Sequence, residues 1–281
     1  MPPEDQRQIE QALIAHCERG GSNCVCILAT SPSTVDLAEL KPNYDTEVST
    51  VYFPWLRVPE DDSADSSLIP PVGHIAGLFA RNDQFAGAHF APIDMTINGT
   101  SVGYSGLAPL ERTVDSHDRD TLRRLGINAI YVEGTEPRPM VSTALTLAIE
   151  EELQPLNRRR LINYISRNLY RGLAWTAFEE NTDELWSKVE QQVSAFLIDL
   201  WRAGALLGRQ PEEAFFVKCG LDRSMTQNDV DNGRLILLLG LSPKFDGATP
   251  FAVIPPVLAV RPPSLRRSAP RNDNEDDVLF C

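Results

Sequence analysis
No stretch of the sequence approaches the roughly twenty consecutive apolar residues that a membrane-spanning helix requires. The first thirty residues open acidic and polar, whereas a secretory leader runs basic and then apolar, so a soluble, non-secreted protein with no membrane partner is expected. Positive charge is scarce. With 26 Lys+Arg against 39 Asp+Glu the net charge is −13, which repels a polyphosphate backbone and speaks against nucleic acid as a partner. Glycine-rich phosphate loops are missing, since neither GxxxxGK[ST] nor GxGxxG occurs, and with them goes the usual nucleotide enzyme. The five cysteines are an odd number, and Cys17, Cys24 and Cys26 fall in a helix followed by a strand, so reduced thiols in a cytosolic protein are expected. A zinc site built on His16, Cys17, Cys24 and Cys26 would need a second Cys/His pair at finger or ribbon spacing, and there is none. No metal and no cofactor is therefore expected.

What the chain does have is length and apolar content. Its 281 residues, 42% of them hydrophobic, suffice for about two domains with real cores. DQRQIEQALIAHCE (5–18) spaces Ile9, Leu13 and Cys17 as a short amphipathic helix, stopped by Gly20-Gly21. NCVCILAT predicts a buried strand, and EVSTVYFPWLRV a second one ending near Trp55 and Leu56. EDDSADSS (60–67) reads as a surface loop. VGHIAGLFARND, after Pro70-Pro71, predicts a helix whose small residues Gly73, Ala76, Gly77 and Ala80 would pack closely on a backbone. DRDTLRRLG predicts a further helix, and INAIYVEG a buried strand.

The second half is more helical. ALTLAIEEEL and LNRRRLINYISRNLYRG read as two helices separated by Gln154 and Pro155, the latter with Leu161, Ile162, Ile165 and Leu169 as its apolar stripe. Asn181 with Glu184 resembles a capping box. The helix it opens carries Leu185, Val189, Val193, Phe196 and Leu200 on one face, widened by Trp186, Leu197 and Trp201, with Gly208 as a plausible end. EEAFFVKCG, RLILLLGLS and TPFAVIPPVLAV read as three strands, with NDVDNG as a turn. Helix and strand alternate throughout, which predicts an α/β (α+β) fold, and the stretch from Pro262 to Cys281 reads as a disordered tail.

Chemistry is thin. Asn98-Gly99-Thr100-Ser101 contains a Gly-Thr-Ser step like that before a subtilisin nucleophile, but the Met-Ala that follows there is absent. His16, His74, His89 or His117 would serve as base only within hydrogen-bonding distance of Ser101. Trp186 and Trp201, at helical spacing beside Leu and Val, read as core rather than as a ligand platform. The sharpest surface feature is basic: Arg160, Arg167 and Arg171 fall within about 20° of one helical meridian. Three co-facial guanidinium groups suit an acidic partner surface, or else pair within the chain with Glu179, Glu180, Asp183 or Glu184.

Seven segments, taken in order, resemble the contractile tail sheath proteins of bacteriophages and phage-tail-like particles. They are YFPWLRV (52–58), PPVGHIAGLFARND (70–83), GAHFAPIDMTINGT (87–100), LRRLGINAI (122–130), NRRRLINYISRNLYRGLAWTAFEENTDELWSKV (157–189), FLIDLWRAGALLGRQPEEAFFVKCG (196–220) and DVDNGRLILLLGLSP (229–243). The resemblance implies a partial subtilisin-like sheath domain without protease activity over residues 1–130, a compact α/β C-terminal sheath domain over 131–260, and a tail over 261–281. It implies a structural subunit, not an enzyme, that polymerises helically with other copies of itself around an inner tail tube protein. Baseplate and tail terminator proteins would be further partners, in a virion tail or phage-tail-like particle assembled in the cytoplasm.

Two sites follow from the resemblance. The basic ridge of Arg160, Arg167 and Arg171 becomes the candidate inner-tube contact. Phe251, Ala252, Val253 and Ile254, within 249–260, become the candidate strand donated to a neighbouring subunit, although Pro255-Pro256 weakens a ladder there because proline lacks a donor. Family members carry a longer N-terminal part with an arm, and a Trp-Gly-Ala-Arg-Thr-Leu-like run where this chain reads MVSTALTL (140–147). Those departures sustain an alternative, a truncated sheath-like protein that binds or regulates such an assembly without polymerising. A subtilisin-like serine hydrolase acting through Ser101 is the remote third reading.

Overall fold
A computed structural model describes residues 3–19, 22–32, 36–59, 66–98, 109–133, 138–244 and 252–254. The chain divides into two compact units between Arg160 and Leu161. The division expected from sequence, at 130/131, would cut a strand: β5 (Ile127–Val132) runs across it and pairs onward with β6 (Pro139–Val141).

The first unit is built on a four-stranded sheet in the order β1 (Cys26–Ala29), β2 (Ser49–Phe53), β5, β6. The first three strands are parallel and β6 is antiparallel. Alternation along the strands assigns their side chains to two cores. Val51 and Phe53 of β2, with Ile127, Ala129 and Tyr131 of β5, join Ile14 and Cys17 of α1 (Pro3–Glu18) and Leu122 of α3 (Ser116–Arg124). Tyr52 and Ile130 join Ile75, Leu78 and Phe79 of α2 (Val72–Phe85), together with Leu156. Helices therefore cover both faces, as a largely parallel sheet requires.

Several local readings change. EVSTVYFPWLRV is not one strand but two, because Pro54 interrupts the ladder: β3 (Leu56–Pro59) turns away and pairs antiparallel with β4 (Ser66–Ile69). Ser66 and Ser67, expected in a loop, belong to β4; residues 60–65 lie outside the described residues. The small-residue face of α2 does not pack on a backbone. Gly73, Ala76, Gly77 and Ala80 are exposed, and a Cβ added at Gly73 or Gly77 would meet nothing within 4 Å. ALTLAIEEEL is not a helix either. Its amides bond outward, Thr146 N to Gln154 O at 2.7 Å and Leu147 N to Ser49 O at 3.0 Å, and only Glu151–Leu153 forms a 3-10 turn.

The second unit begins within α4 (Leu156–Gly172), whose Leu161, Ile165 and Leu169 are buried. They pack with Leu185, Trp186, Val189, Val193 and Leu197 of α5 (Asp183–Arg202). Phe196, Leu200 and Trp201 are only partly buried against that cluster. Asn181 does not cap α5: the N-cap residue is Thr182, and the Asn181 side chain instead accepts from Trp186 Nε1 at 2.6 Å and donates to Arg234 O at 3.0 Å. α5 ends at Arg202, before Gly208, which has φ +130° and would bring a Cβ to 2.9 Å from Ala214 N. α6 (Pro211–Ala214) then leads into β7 (Phe215–Cys219). NDVDNG contains a short helix rather than a bare turn: α7 (Gln227–Asp231) is capped reciprocally by Thr226 and Asp229. β8 (Leu237–Leu241) and β9 (Ala252–Ile254) complete an antiparallel sheet in the order β7, β8, β9.

Candidate assembly surfaces
The basic ridge separates into two parts. The Nη2 of Arg160 lies 2.6 Å from both carboxylate oxygens of Asp83 on α2, and its guanidinium stacks 4.6 Å from the Phe79 ring centroid. With its side chain 10% exposed, Arg160 is a structural ion-pair residue of the first unit and not part of an open surface. Its neighbours are held likewise, since Arg158 and Arg159 both reach Glu47, at 3.3 and 2.7 Å. None of these carboxylates is among the partners proposed from sequence, because both lie far away along the chain.

Arg167 and Arg171 differ. They are exposed on the second-unit part of α4, and among the described residues no ion pair engages either. Beside them Tyr164, 45% exposed, leans on Phe196 of α5 with ring centroids 6.4 Å apart. The helix thus offers an exposed aromatic ring followed one and two turns on by two solvated guanidinium groups, suited to carboxylates and to stacking at once.

The candidate strand 251–254 is also placed in part. Ala252, Val253 and Ile254 form β9 and pair antiparallel with Leu241, Gly240 and Leu239 of the same chain. Phe251, and residues 255–260, lie outside the described residues. At the other edge of this sheet, β7 is blunted. Cys219 N donates to Glu190 Oε1 at 2.7 Å, Arg223 holds that carboxylate at 2.9 Å, and Phe215 N donates to Pro211 O. Phe216, in the strand expected from EEAFFVKCG, is only partly buried: its ring covers Gly240 in β8, where a Cβ would come to 2.0 Å from Phe216 Cε1.

The histidines do not converge on a catalytic site. His16 and His117 are exposed on α1 and α3, His74 sits in α2, and the His89 ring packs on Phe90 at 4.5 Å. Ser101 lies outside the described residues, so the hydrolase reading gains no geometry. Among the described residues no three His, Cys, Asp or Glu side chains gather as a metal set, and no helix is long and apolar enough to cross a membrane.

Comparison with known proteins follows the fold closely. Residues 150–244 match the family model described as the phage tail sheath C-terminal domain, from the turn before α4 through β8 and short of β9. A chain of the contracted sheath complex of an extracellular contractile injection system (PVC) superimposes with a TM-score of 0.73 at 26% identity, over 86% of this chain and 65% of that one. A chain of the anti-feeding prophage baseplate gives 0.74 at 24% identity, over 88% and 64%. A sheath tail protein from Listeria innocua gives 0.64 at 12% identity, over 92% and 54%. The chain thus spans about two thirds or less of the length of these relatives. No curated protein matches it significantly. Residues 150–244 are thus similar to the phage tail sheath C-terminal domain, and the α/β fold of the chain is shared with chains of contractile injection system assemblies.

Proposed function
We propose that this chain is a structural subunit of a contractile tail sheath, which polymerises helically around an inner tube and contracts to drive it through a target envelope. The match of 150–244 to the sheath C-terminal domain, within a fold shared over 86% of the chain with a contracted sheath, carries the reading. The subunit would assemble in the cytoplasm into a virion tail or phage-tail-like particle, with copies of itself, the tube protein, and baseplate and terminator proteins as partners.

β9 supplies the physical means of linking subunits. A strand held by three residue pairs on β8 makes the same backbone bonds whether it belongs to its own chain or to a neighbour. Exchange between subunits is therefore nearly neutral in pairing energy and is decided by concentration and geometry. The backfolded β9 also gives the second reading its footing, since a chain that satisfies its own β8 edge is a competent monomer.

Light scattering coupled to size exclusion, with negative-stain microscopy of any large fraction, separates the two. Striated tubes or large rings, with or without a tube protein, are expected. A stable monomer under all conditions favours the non-polymerising reading.

The tube contact is assigned to Arg167 and Arg171 with Tyr164; Arg160 is withdrawn from it. The double variant Arg167→Glu/Arg171→Glu is expected to lose co-assembly with the tube protein while melting like the parent, because both side chains are solvated. Arg160→Glu is the contrast. It breaks a charge-assisted bond to Asp83 and should lower stability by roughly 1.5–3 kcal/mol without selective loss of tube binding. Undiminished co-assembly of the double variant, read by co-sedimentation, removes this surface from the model.

A further inference from the structure
The two thiols Cys17 and Cys24 come together at the end of α1. Cys17 is buried in the last turn of the helix, Cys24 is half-buried in the segment entering β1, and their sulfurs are 3.2 Å apart. The approach is fixed locally: Ser22 Oγ donates to Cys17 O at 2.6 Å, and Asn23 takes the left-handed conformation, φ 44°, that turns the chain back toward the helix. Cys17 also lines an open cavity of about 400 Å³, with Ser22, Asn23, Thr46, Glu47 and Arg159, while the half-buried Cys24 is the sulfur of the pair nearer to solvent.

The helix these thiols terminate is lightly held. Among the described residues, only Ile14 and Cys17 of α1 are buried, and polar ties from the helix run from Glu10 to Tyr44 at 3.0 Å and from Glu18 to Thr46 at 2.8 Å. Ile9 and Leu13 remain exposed on its outer face. A covalent bond at its last turn would therefore change its freedom more than at any strand of the sheet.

We propose that Cys17 and Cys24 are a dithiol–disulfide site that a low-molecular-weight disulfide such as glutathione disulfide oxidises, latching α1 to the entry of β1. The less buried Cys24 sulfur attacks the glutathione disulfide as a thiolate, forming a mixed disulfide and releasing one glutathione thiolate. Cys17 then loses its proton to solvent and attacks the Cys24 sulfur, forming the internal bond and releasing the second glutathione. Two protein thiols are oxidised and one glutathione disulfide is reduced to two thiols, so atoms and electrons balance. In the dithiol, burial, reinforced by the adjoining Cys24 thiol, pushes Cys17 up to about 12; burial persists once Cys24 is in the mixed disulfide and still raises Cys17, so the second step quickens as pH rises.

The site is tested on the full chain by incubation with glutathione disulfide, alkylation in denaturant and mass spectrometry. Two of the five thiols are expected to disappear, with a mass loss of about 2 Da and no glutathione retained. Trypsin cuts after Arg19, so the bond should join two peptides. Cys24→Ser should keep all of its thiols, while Cys26→Ser still loses two, which assigns the bond to Cys24. Amide exchange in α1 should slow several-fold on oxidation and recover with reductant. Retention of all five thiols, a persistent glutathione adduct, a bond to Cys26 or Cys219, or unchanged exchange in α1 would each overturn the proposal.

Discussion
Asn128→Leu is expected to unfold the first unit under conditions in which the parent is stable. The residue has no solvent exposure and is the second residue of β5, where a nearly isosteric leucine ought to be welcome. Its amide, however, is a junction. Nδ2 donates to Thr50 Oγ1 at 2.8 Å, Leu145 O at 2.9 Å and Val51 O at 3.1 Å, while Oδ1 accepts from Leu145 N at 2.7 Å and Thr143 Oγ1 at 3.0 Å. One side chain thus ties β5 to β2 and to the extended segment 143–145.

Leucine satisfies none of these groups. Each buried polar atom left without a partner costs about 1–3 kcal/mol, so two or three of them amount to roughly 2–9 kcal/mol. A typical domain has only about 5–15 kcal/mol in total. Asn128→Asp sharpens the test, because a carboxylate sets negative charge against the Leu145 and Val51 carbonyls. That variant should be least stable at neutral pH and regain stability as pH falls, since the protonated acid can again donate. Urea denaturation, with hydrogen exchange in 26–29, 49–53 and 127–132 as the local readout, measures both. A parental midpoint for Asn128→Leu would mean that the junction is dispensable.

Nothing in INAIYVEG marks Asn128 out, and the reason is general to this chain. Periodicity announces elements that bury an apolar face, so α4, α5, β5, β7 and β8 were legible from Leu161, Val189, Ile127, Phe215 and Leu239 alone. It says nothing about polar groups whose partners are remote. ALTLAIEEEL has helical composition, yet Ala144, Thr146, Leu147 and Ala148 are buried in an extended segment whose amides are held by the Asn128 side chain and the Ser49 and Gln154 carbonyls. Tertiary bonding there overrides propensity.

The candidate surfaces divide by the same logic. Helical angle puts Arg160, Arg167 and Arg171 near one meridian of α4, because that is a property of helix geometry. Whether a guanidinium is available depends on Asp83, 77 residues away, which consumes Arg160 and leaves the other two solvated. Strand character at 252–254 was legible from Ala-Val-Ile, whereas its pairing with β8 depends on a register no local pattern contains.

Leu197→Ala is expected to destabilise the second unit by about 2–5 kcal/mol, the range for deleting a fully buried leucine from a core that cannot collapse around the gap. Leu197 is fully buried in a cluster with Val193 of α5, Ile165 of α4, and Leu239 and Leu241 of β8, so the lost atoms touched both layers of the unit. Trp201→Ala and Phe216→Ala should cost less. Trp201 is half-exposed and would give up packing plus one hydrogen bond, Nε1 to Gly208 O at 3.0 Å, whose acceptor water can reach. Phe216 spreads its ring over Gly240 on the sheet surface, and its loss uncovers that backbone without opening an interior void. Thermal melts followed by the fluorescence of Trp186, a buried neighbour in the same cluster, give the order directly. Leu197→Ala must fall furthest. If Phe216→Ala melts lower, the centre of the core lies on the outer strand surface and not between α5 and the sheet, and β8 could not then exchange β9 without losing the interior that supports it; if Trp201→Ala melts lower, the centre lies at the C-terminal end of α5 instead.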